Sequence, residues 1–352
     1  MKLAEIIKKG RSKFPSFSPY MLAEAGVNHE GSMELAERLI NEAAEGGAHG
    51  IKFQTYKAGY IASKDSPSYW DLKKEPTTSQ FELFKKYDSF WKDEYEKLKV
   101  LCDKAGIEFF STPFDVHSAD FLNELMDVFK VSSSDLNNLP FIEKLCDYGK
   151  PILLSTGSSF NWEVERTVEL VQSKGNAISI MHCVLNYPTP NENANLAMIL
   201  DHINKFPELT VGYSDHTLPE DMEVSMIATC LGAEIIEKHF THDKSLPGND
   251  HYHAMDKEDL IHYFERLKRT KTLLGNPNKQ PLPSEAKSRN NARRSLVAAR
   301  NIANGKTIVA EDLTWKRPAH GINPADISLV VGKEALIDIE EDTVLKYSMF
   351  DI

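Results

Sequence analysis

The chain has 352 residues, 41% of them hydrophobic and 26% charged, with a formal net charge of -11 at pH 7. This length and composition predict a globular protein with a substantial core, and the acidic balance argues against a nucleic-acid-binding surface. No apolar run approaches the roughly 20 residues that a membrane span needs, so a membrane partner is not expected. The first fourteen residues show no export pattern, and the four cysteines lack Cys-x-x-Cys spacing. Reduced core thiols and a cytoplasmic location are therefore expected.

Apolar runs alternate with amphipathic stretches through the first three quarters of the chain. The runs predict eight strands, at 21–25, 50–54, 107–111, 128–132, 152–155, 178–182, 209–213 and 234–238. The amphipathic stretches predict eight helices, at 33–45, 90–104, 118–127, 140–148, 162–173, 196–206, 219–231 and 257–274. This alternation predicts an α/β fold, a (β/α)8 TIM barrel over residues 1–275, and a doubly wound open sheet is the alternative.

After residue 275 the character of the sequence changes. Residues 276–291 are polar, contain three prolines and show no periodicity, so they are predicted to be a linker. Residues 292–352 contain short apolar pieces separated by turn residues, which predicts a small compact domain with few regular elements. So small a domain has a marginal core and gains from docking on something larger.

Two lysines lie in predicted strands of the barrel, and neighbouring strands end in residues with hydroxyl side chains. Lys52 lies in the second strand and Lys130 in the fourth, and serine or threonine residues end the third, fourth and fifth strands. Strands of a parallel barrel direct their C-terminal ends to one mouth, so these groups are expected to converge. Ammonium groups and hydroxyl donors complement a phosphate or carboxylate, so the sequence predicts a small anionic ligand.

Two histidines, His216 and His239, end apolar runs in consecutive strand and helix units. Imidazole is a good ligand for several divalent metals, so the pair predicts one catalytic metal with open coordination positions. His251 and His253 also have the spacing of a metal-binding pair, but they lie in a loop, and loop polarity is the favoured explanation. His182 is predicted to fill the barrel interior with its hydrogen bond satisfied.

Seven motifs resemble those of the bacterial N-acetylneuraminate (sialic acid) synthases and the related legionaminic and pseudaminic acid synthases. They are Ala23-Glu24-Ala25-Gly26-Val27-Asn28-His29-Glu30-Gly31, Lys52-Phe53-Gln54-Thr55, Ser111-Thr112-Pro113-Phe114, Leu154-Ser155-Thr156-Gly157, Tyr187-Pro188-Thr189-Pro190, Gly212-Tyr213-Ser214-Asp215-His216-Thr217 and Glu237-Lys238-His239-Phe240-Thr241. In addition, residues 315–318 and 321–322 resemble the signature of the C-terminal antifreeze-like (SAF) domain of these enzymes. The likeness spans nearly the whole chain.

The resemblance implies a TIM barrel with a small C-terminal antifreeze-like (SAF) domain, which in a homodimer closes over the partner's barrel. It implies that phosphoenolpyruvate is bound by Lys52, Thr112, Lys130, Ser133, Ser155 and Ser214. It implies a divalent metal, Mn or Mg, on His216 and His239, and catalytic carboxylates at Glu24, Asp135 and Glu237. The amino sugar would face Gln54, Tyr187, Asp250 and, from the partner subunit, Arg317.

The implied reaction joins phosphoenolpyruvate to an open-chain N-acetylated amino sugar such as N-acetylmannosamine, with C–O cleavage and release of phosphate. A 2,4-diacetamido trideoxyhexose or a 6-phosphorylated sugar is the alternative substrate. Three positions depart from the family pattern: Asp135 stands where Glu is common, Leu185 where a polar residue is common, and Ala319 where Gly is common.

Three rival functions remain open on the sequence. One is a synthase of deoxyoctulosonate or deoxyheptulosonate phosphates on a similar barrel, which the antifreeze-like tail disfavours. The second is an inactive barrel that carries an ice-binding or partner-binding tail, which the intact lysine, serine and histidine positions disfavour. The third is a metal hydrolase, which normally uses more ligands than two histidines.

Overall fold

The computed structural model describes residues 2–12, 17–248 and 250–352. The chain divides into two compact units, Met1–Gly275 and Asn276–Ile352, each with its own core. In the described part of the chain, no helix is long and apolar enough to cross a membrane.

The first unit is a parallel barrel. Its strands are β1 (Tyr20–Gly26), β2 (Gly50–Thr55), β3 (Glu108–Pro113), β4 (Phe129–Val131), β5 (Ile152–Ser155), β6 (Ile178–Cys183), β7 (Val211–Asp215) and β8 (Ile235–His239). They are hydrogen-bonded in the order β3-β2-β1-β8-β7-β6-β5-β4, and β3 and β4 also lie side by side, so the sheet nearly closes. The (β/α)8 fold predicted from the alternation is confirmed.

Helices follow the strands and cover the outside of the barrel. The first unit contains α1 (Leu3–Lys9), α2 (Met33–Glu45), α3 (Ala58–Ile61), α4 (Gln80–Tyr87), α5 (Lys92–Ala105), α6 (Val116–Leu122), α7 (Leu139–Cys146), α8 (Asn161–Ser173), α9 (Ala197–Lys205), α10 (Glu223–Cys230) and α11 (Lys257–Leu274). Three of them, α1, α3 and α4, were not predicted. α3 and α4 lie in the long connection between β2 and α5, where short aromatic-rich pieces obscure helical periodicity.

The strands are buried on both faces, as parallel strands covered by helices must be. A second group of buried side chains, including Leu3 and Ile7 of α1 with Leu22 of β1, packs inside the barrel. Gly212 in β7 illustrates the close packing, because a Cβ there would lie 2.8 Å from the carbonyl oxygen of Ile235. This packed interior leaves the C-terminal ends of the strands as the place for a site.

The second unit is built around the antiparallel pair β9 (Ser295–Ala298) and β10 (Leu313–Lys316). Its core contains Leu296, Ile322 and Leu345, and a buried carboxylate, Asp312, accepts charge-assisted hydrogen bonds from surface cations. Few regular elements were expected here, and few are found. Helix α12 (Ala286–Ala292) overlaps the segment 276–291 that was predicted as an aperiodic linker, so that segment is not wholly irregular.

All four cysteines are free thiols. Cys102, Cys146 and Cys183 are buried, but Cys230 is exposed at the end of α10. The expectation of core thiols is therefore wrong for Cys230, because an apolar helix still turns one side to solvent.

Candidate active site

Strand register brings charged residues from three adjacent strands together at the mouth of the barrel. Glu24 in β1 is the direct neighbour of Lys52 in β2 and of His239 in β8. Ser214 in β7 is paired in the same way with Glu237 in β8. Residues more than 200 positions apart in sequence thus become neighbours because the first and last strands of the barrel are hydrogen-bonded.

Two buried lysines and two buried glutamates form one network. Lys52 Nζ lies 2.5 Å from Glu24 Oε2 and 3.9 Å from Glu237 Oε1, and it donates to Thr112 Oγ1 at 3.0 Å. Lys130 Nζ lies 3.6 Å from the same Glu237 oxygen. Desolvating four charges is costly unless each is paired, and here both lysines share Glu237.

The second lysine is held by the neighbouring strand and loop. Lys130 Nζ donates to Ser155 Oγ at 2.7 Å, and the amide of Gly157 donates to Ser133 Oγ at 2.9 Å. These hydroxyls and ammonium groups face one cavity, whose lining contains every residue predicted to bind phosphoenolpyruvate. We call this cavity the lysine chamber; it is lined by Glu24, Lys52, Gln54, Thr112, Phe114, Lys130, Ser132, Ser133, Ser155, Cys183, Leu185, Tyr187, Ser214, His216, Glu237 and His239.

The two glutamates of this chamber differ in their electrostatic surroundings. Burial raises the pKa of the Glu24 carboxyl to about 7, although Lys52 acts in the opposite direction. Burial alone would also raise the pKa of Glu237, but the two lysines and His216 outweigh it and lower that pKa. Two carboxyls whose pKa values are driven apart suit an acid and a base in one site.

A second cavity adjoins the first. We call it the aromatic chamber; it is lined by Val27, Asn28, Glu30, Gln54, Tyr56, Tyr69, Trp70, Leu83, Phe84, Tyr87, Tyr187, His239, Gly248, Asp250 and His251. Gln54, Tyr187 and His239 line both chambers, so they mark the junction. The sequence reasoning missed most of this wall, although a connection of 36 residues after β2, rich in tryptophan, tyrosine and phenylalanine, was a visible signal.

A group of possible metal ligands lies at the junction of the chambers. His239, Asp250 and His253 offer ligand atoms that all lie within 4.8 Å of one another. His239 Nδ1 is buried and makes no hydrogen bond within the described part of the chain, and it lies 3.8 Å from Asp250 Oδ2. Imidazole and carboxylate ligands in this arrangement fit a divalent cation such as Mn.

The explanation of His253 by loop polarity is wrong. Its side chain is fully buried, and its ring centroid lies 4.8 Å from that of His239, so it contacts the site and not solvent. His251 is also buried, but it bonds Thr241 and Glu30 instead of joining this group. The loop returns to the end of β8, where the amide of Met255 donates to the carbonyl oxygen of His239, and periodicity could not reveal this.

His216, the other predicted metal ligand, lies beside this group. Its ring centroid is 5.4 Å from that of His239, and its Nδ1 lies 2.9 Å from the carbonyl oxygen of Val184. A carbonyl can only accept, so Nδ1 carries the proton and Nε2 is left as a possible metal ligand in the neutral ring. The ring of Tyr187 lies against that of His216, with 4.2 Å between centroids and 40° between the ring planes.

Comparison with known proteins places the chain in a family. The model of the NeuB family matches residues 39–279, and the SAF domain model matches residues 293–351. The chain belongs to the NeuB family. It is 36% identical to the N,N'-diacetyllegionaminic acid synthase of Legionella pneumophila, with 94% of each chain covered, and 31% identical to the N-acetylneuraminate-9-phosphate synthase of Mus musculus, with 94% of this chain and 92% of that one covered.

Among solved structures, this NeuB-family chain is similar to the N-acetylneuraminic acid synthetase of Leptospira borgpetersenii. The two are 33% identical with a TM-score of 0.68, and the match covers 77% of this chain and 90% of that one. The family recognised from the seven motifs is therefore confirmed.

Two motif residues of this NeuB-family barrel have a structural explanation. Lys238 Nζ lies 3.2 Å from Asp215 Oδ2, and both side chains are buried. Asp215 also accepts hydrogen bonds from Thr217 and Ser225. This pair fixes the ends of β7 and β8, and so positions His216 and His239 without lining either chamber.

Not all predicted site residues of this NeuB-family chain come together. Asp135 lies in a 3-10 turn, accepts a hydrogen bond from Asn138, and is absent from the described linings of both chambers. Arg317 is an exposed residue of the second unit, after β10. Leu185 lines the lysine chamber, whereas Ala319 lies in the second unit.

Gly157 gives a first testable prediction for this NeuB-family site. A Cβ there would lie 2.8 Å from Ser133 Oγ and 3.1 Å from Cys183 Sγ, so Gly157→Ala should displace the hydroxyl that faces the chamber. We expect the Kd for phosphoenolpyruvate, measured by calorimetry, to rise about tenfold, the effect of losing one good hydrogen bond. Gly59→Ala is the control, because a Cβ there meets nothing within 4 Å. Equal affinities in all three proteins would refute the prediction.

Proposed function

We propose that this protein is a nonulosonate synthase, which condenses phosphoenolpyruvate with an open-chain N-acetylated amino sugar such as N-acetylmannosamine and releases inorganic phosphate. The observation that carries the proposal is the pair of chambers with a common wall. One holds two buried lysines and several hydroxyls, the other is aromatic, and they meet at Gln54, Tyr187 and His239. An anionic and a largely uncharged substrate would meet there.

Phosphoenolpyruvate carries a phosphate and a carboxylate, and the lysine chamber offers complementary groups for both. Lys52 and Lys130 supply positive charge, and Ser133, Ser155 and Ser214 supply hydroxyl donors, joined by Thr112. Buried ammonium groups bind anions strongly because little water competes for them. The bound anion would also share the positive charge of both lysines with Glu237. The pKa of Glu237 should then rise toward that of a useful base.

A divalent cation, Mn or Mg, is proposed at the junction of the chambers. His216 and His239 would hold it, with Asp250 and His253 within reach of His239. Such a cation supplies Lewis-acid polarisation of an aldehyde carbonyl. Asp250 is also proposed to contact the sugar, because Asp250 Oδ2, Gln54 Nε2 and Glu24 Oε1 all lie within 3.7 Å of the point where a Cβ on Gly26 would be.

The two proton transfers of the reaction are then assigned to the two glutamates. C3 of phosphoenolpyruvate adds to the aldehyde carbon, and protonated Glu24 gives its proton to the carbonyl oxygen as the carbon–carbon bond forms. Water adds to the cationic C2 that results and loses a proton to ionised Glu237. The tetrahedral intermediate then collapses: its C2 hydroxyl gives its proton to the departing phosphate, the bond between C2 and the phosphate oxygen breaks, and the 2-keto acid and inorganic phosphate are released. The lysines would stabilise the departing phosphate.

The second unit is proposed to act as a lid. In a homodimer the SAF domain of one subunit would cover the barrel of the other, and Arg317 would reach the sugar from there. A lid that excludes water strengthens every charge interaction in the site and holds the two substrates together. A role for Asp135 in proton transfer, and a cytoplasmic location, remain predictions from the sequence.

The proposal is tested by incubating the purified protein with Mn, phosphoenolpyruvate and a panel of amino sugars. We expect release of inorganic phosphate and a product with the mass of a nonulosonic acid. In ¹⁸O-labelled water, the label should enter the keto acid and not the phosphate, because the C–O bond is the one that breaks. Absence of turnover with every sugar, or label in the phosphate, would contradict the proposal.

His253 gives a prediction about metal binding. If its imidazole contributes to the cation site, His253→Ala should weaken Mn binding by roughly 10- to 100-fold, the usual cost of removing a group near a metal. Mn binding is measured by electron paramagnetic resonance of the free ion, which does not depend on turnover. His251→Ala is the matched control, since it removes a buried imidazole of the same loop that lies outside the ligand group. Equal affinities of the two variants would contradict a role of His253.

A further inference from the structure

A backbone carbonyl in the loop after β6 orients the imidazole of His216. Nδ1 of His216 donates its proton to the carbonyl oxygen of Val184, which leaves Nε2 for the proposed cation. Such a partner holds the ring of a metal-binding histidine in place, and removing one typically costs about 10- to 100-fold in metal affinity. We call residues 184–189 the His216 loop. Because the acceptor belongs to the backbone, its position depends on how this loop is held.

Thr189 ties the His216 loop to the main chain of His216, the residue that follows β7. The amide of Thr189 donates to the carbonyl oxygen of His216 at 2.8 Å. Pro188 and Pro190 have no N–H, so Thr189 is the one residue of this tripeptide whose backbone can donate such a bond. His216 is therefore bonded to the loop twice, once through its ring and once through its main chain.

The side chain of Thr189 closes the loop between these two bonds. Its hydroxyl donates to the carbonyl oxygen of Asn186 at 3.0 Å and lies 3.4 Å from that of Val184, the oxygen that the ring of His216 uses. Thr189 is only 2% exposed, so little water competes for these bonds. The hydroxyl and the amide of Thr189 thus complete a cycle of hydrogen bonds that begins and ends at His216.

Thr189 would act through His216 and not on a substrate, because it is absent from the described linings of both chambers. The loop has a second anchor, since the hydroxyl of Tyr252 donates to the carbonyl oxygen of Tyr187 at 3.0 Å. That bond holds the loop three residues beyond Val184. Loss of the Thr189 hydroxyl should therefore loosen the acceptor of the His216 ring without releasing the whole loop.

We propose that Thr189 is a positioning residue that keeps the Nδ1 proton of His216 on the carbonyl oxygen of Val184 and so presents Nε2 to the cation. This inference rests on the proposed function, which places the cation on His216. Without the hydroxyl, the carbonyl oxygen of Val184 is held less firmly, and the neutral ring can carry its proton on either nitrogen. The form with the proton on Nε2 has no lone pair there for a metal.

The inference is tested in the whole chain with Thr189→Val, Thr189→Ser and Thr167→Val. Valine removes the hydroxyl and keeps a branched side chain, whereas serine keeps the hydroxyl. Thr167 is the matched control, because its buried hydroxyl also donates to a carbonyl oxygen, that of Leu136 at 2.9 Å, but it lines neither chamber. We expect Thr189→Val to weaken Mn binding about tenfold, measured by electron paramagnetic resonance of the free ion, and the other two variants to match wild type. Equal Mn affinities in all four proteins would overturn the inference.

A second measurement does not depend on the metal. In protein labelled with ¹⁵N at histidine, nuclear magnetic resonance shows which ring nitrogen carries the proton, and the signals of His216 are identified by their loss in His216→Gln. We expect the proton on Nδ1 in metal-free wild type and Thr189→Ser, and a mixture of both forms in Thr189→Val. An unchanged proton position in Thr189→Val would overturn the inference even if Mn binding were weaker. A wild type that binds no Mn would contradict the proposed cation site, whereas the effect of Thr189 on the ring would still be decided by the proton position.

Discussion

Lys130→Met should lower kcat/KM for phosphoenolpyruvate by roughly 10²- to 10⁴-fold, because truncating one partner of a buried charge pair costs about 3 to 5 kcal/mol. Lys130 is buried beside Ser155 and Glu237, and burial lowers its pKa, although the nearby carboxylates act in the other direction. Methionine keeps the length and apolar stem of the side chain and removes only the charge and its donors. The loss should appear as a weaker Kd for phosphoenolpyruvate as well as a lower kcat.

The control for this variant must separate folding from binding. Lys150→Met removes a lysine that donates to the carbonyl oxygens of Asn123 and Met126 and lies outside both chambers. It should leave the affinity for phosphoenolpyruvate unchanged, as measured by calorimetry alongside a thermal melt by circular dichroism. Lys130→Met with a native melt and undiminished affinity for phosphoenolpyruvate would show that the lysine chamber does not bind this anion.

Glu24→Gln should lower kcat by roughly 10²- to 10⁴-fold, the usual contribution of a positioned acid or base. The carboxyl is buried, lies 2.5 Å from Lys52 Nζ and accepts a hydrogen bond from Gln54. Glutamine preserves the shape but cannot give up a proton at a useful rate. Binding of phosphoenolpyruvate should change much less than kcat, because the proposed task of Glu24 arises only when the new alkoxide forms.

The pH dependence gives Glu24 a signature of its own. Burial raises its pKa to about 7, so the protonated form predominates below that pH and is lost above it. A proton donor with this pKa makes kcat/KM for the sugar fall as the pH rises through about 7. This fall in kcat/KM above pH 7 should vanish in Glu24→Gln. Glu108→Gln should keep it, because Glu108 also has a pKa raised by burial but is the first residue of β3, at the end of the strand away from the barrel mouth. A profile that rises through pH 7 would make Glu24 a base and reverse the assignment.

Much of the barrel was predictable because its determinants are local. Each strand is a short apolar run bounded by polar residues, and each following helix has an apolar stripe, as in β5 and α8. The convergence of Lys52, Lys130 and Ser155 was also predictable, because strand ends in a parallel barrel face one mouth. The small helices between β2 and α5 were not, since their stability comes from packing and not from propensity.

In the site, too, residues in strands were predictable from local sequence, whereas residues in loops were not. The lining of the lysine chamber contains the predicted phosphoenolpyruvate residues, which lie in barrel strands or, for Ser133, just after one. The family resemblance implied a catalytic carboxylate at Asp135, yet this side chain accepts a hydrogen bond from Asn138 and is absent from the described linings of both chambers. His253 was discounted for lying in a loop, yet it is buried beside His239. Loop paths depend on tertiary contacts that no periodicity encodes.

The sequence by itself determined the alternation of strands and helices, the family, and the set of charged residues at the strand ends. These follow from side-chain pattern and order, which the chain carries in every conformation. Only the tertiary structure decided that the pKa of Glu24 rises while that of Glu237 falls, and that an aromatic wall meets the lysines at Tyr187 and His239. Those properties depend on distance and burial among residues from different strands, and these quantities exist only once the barrel has closed.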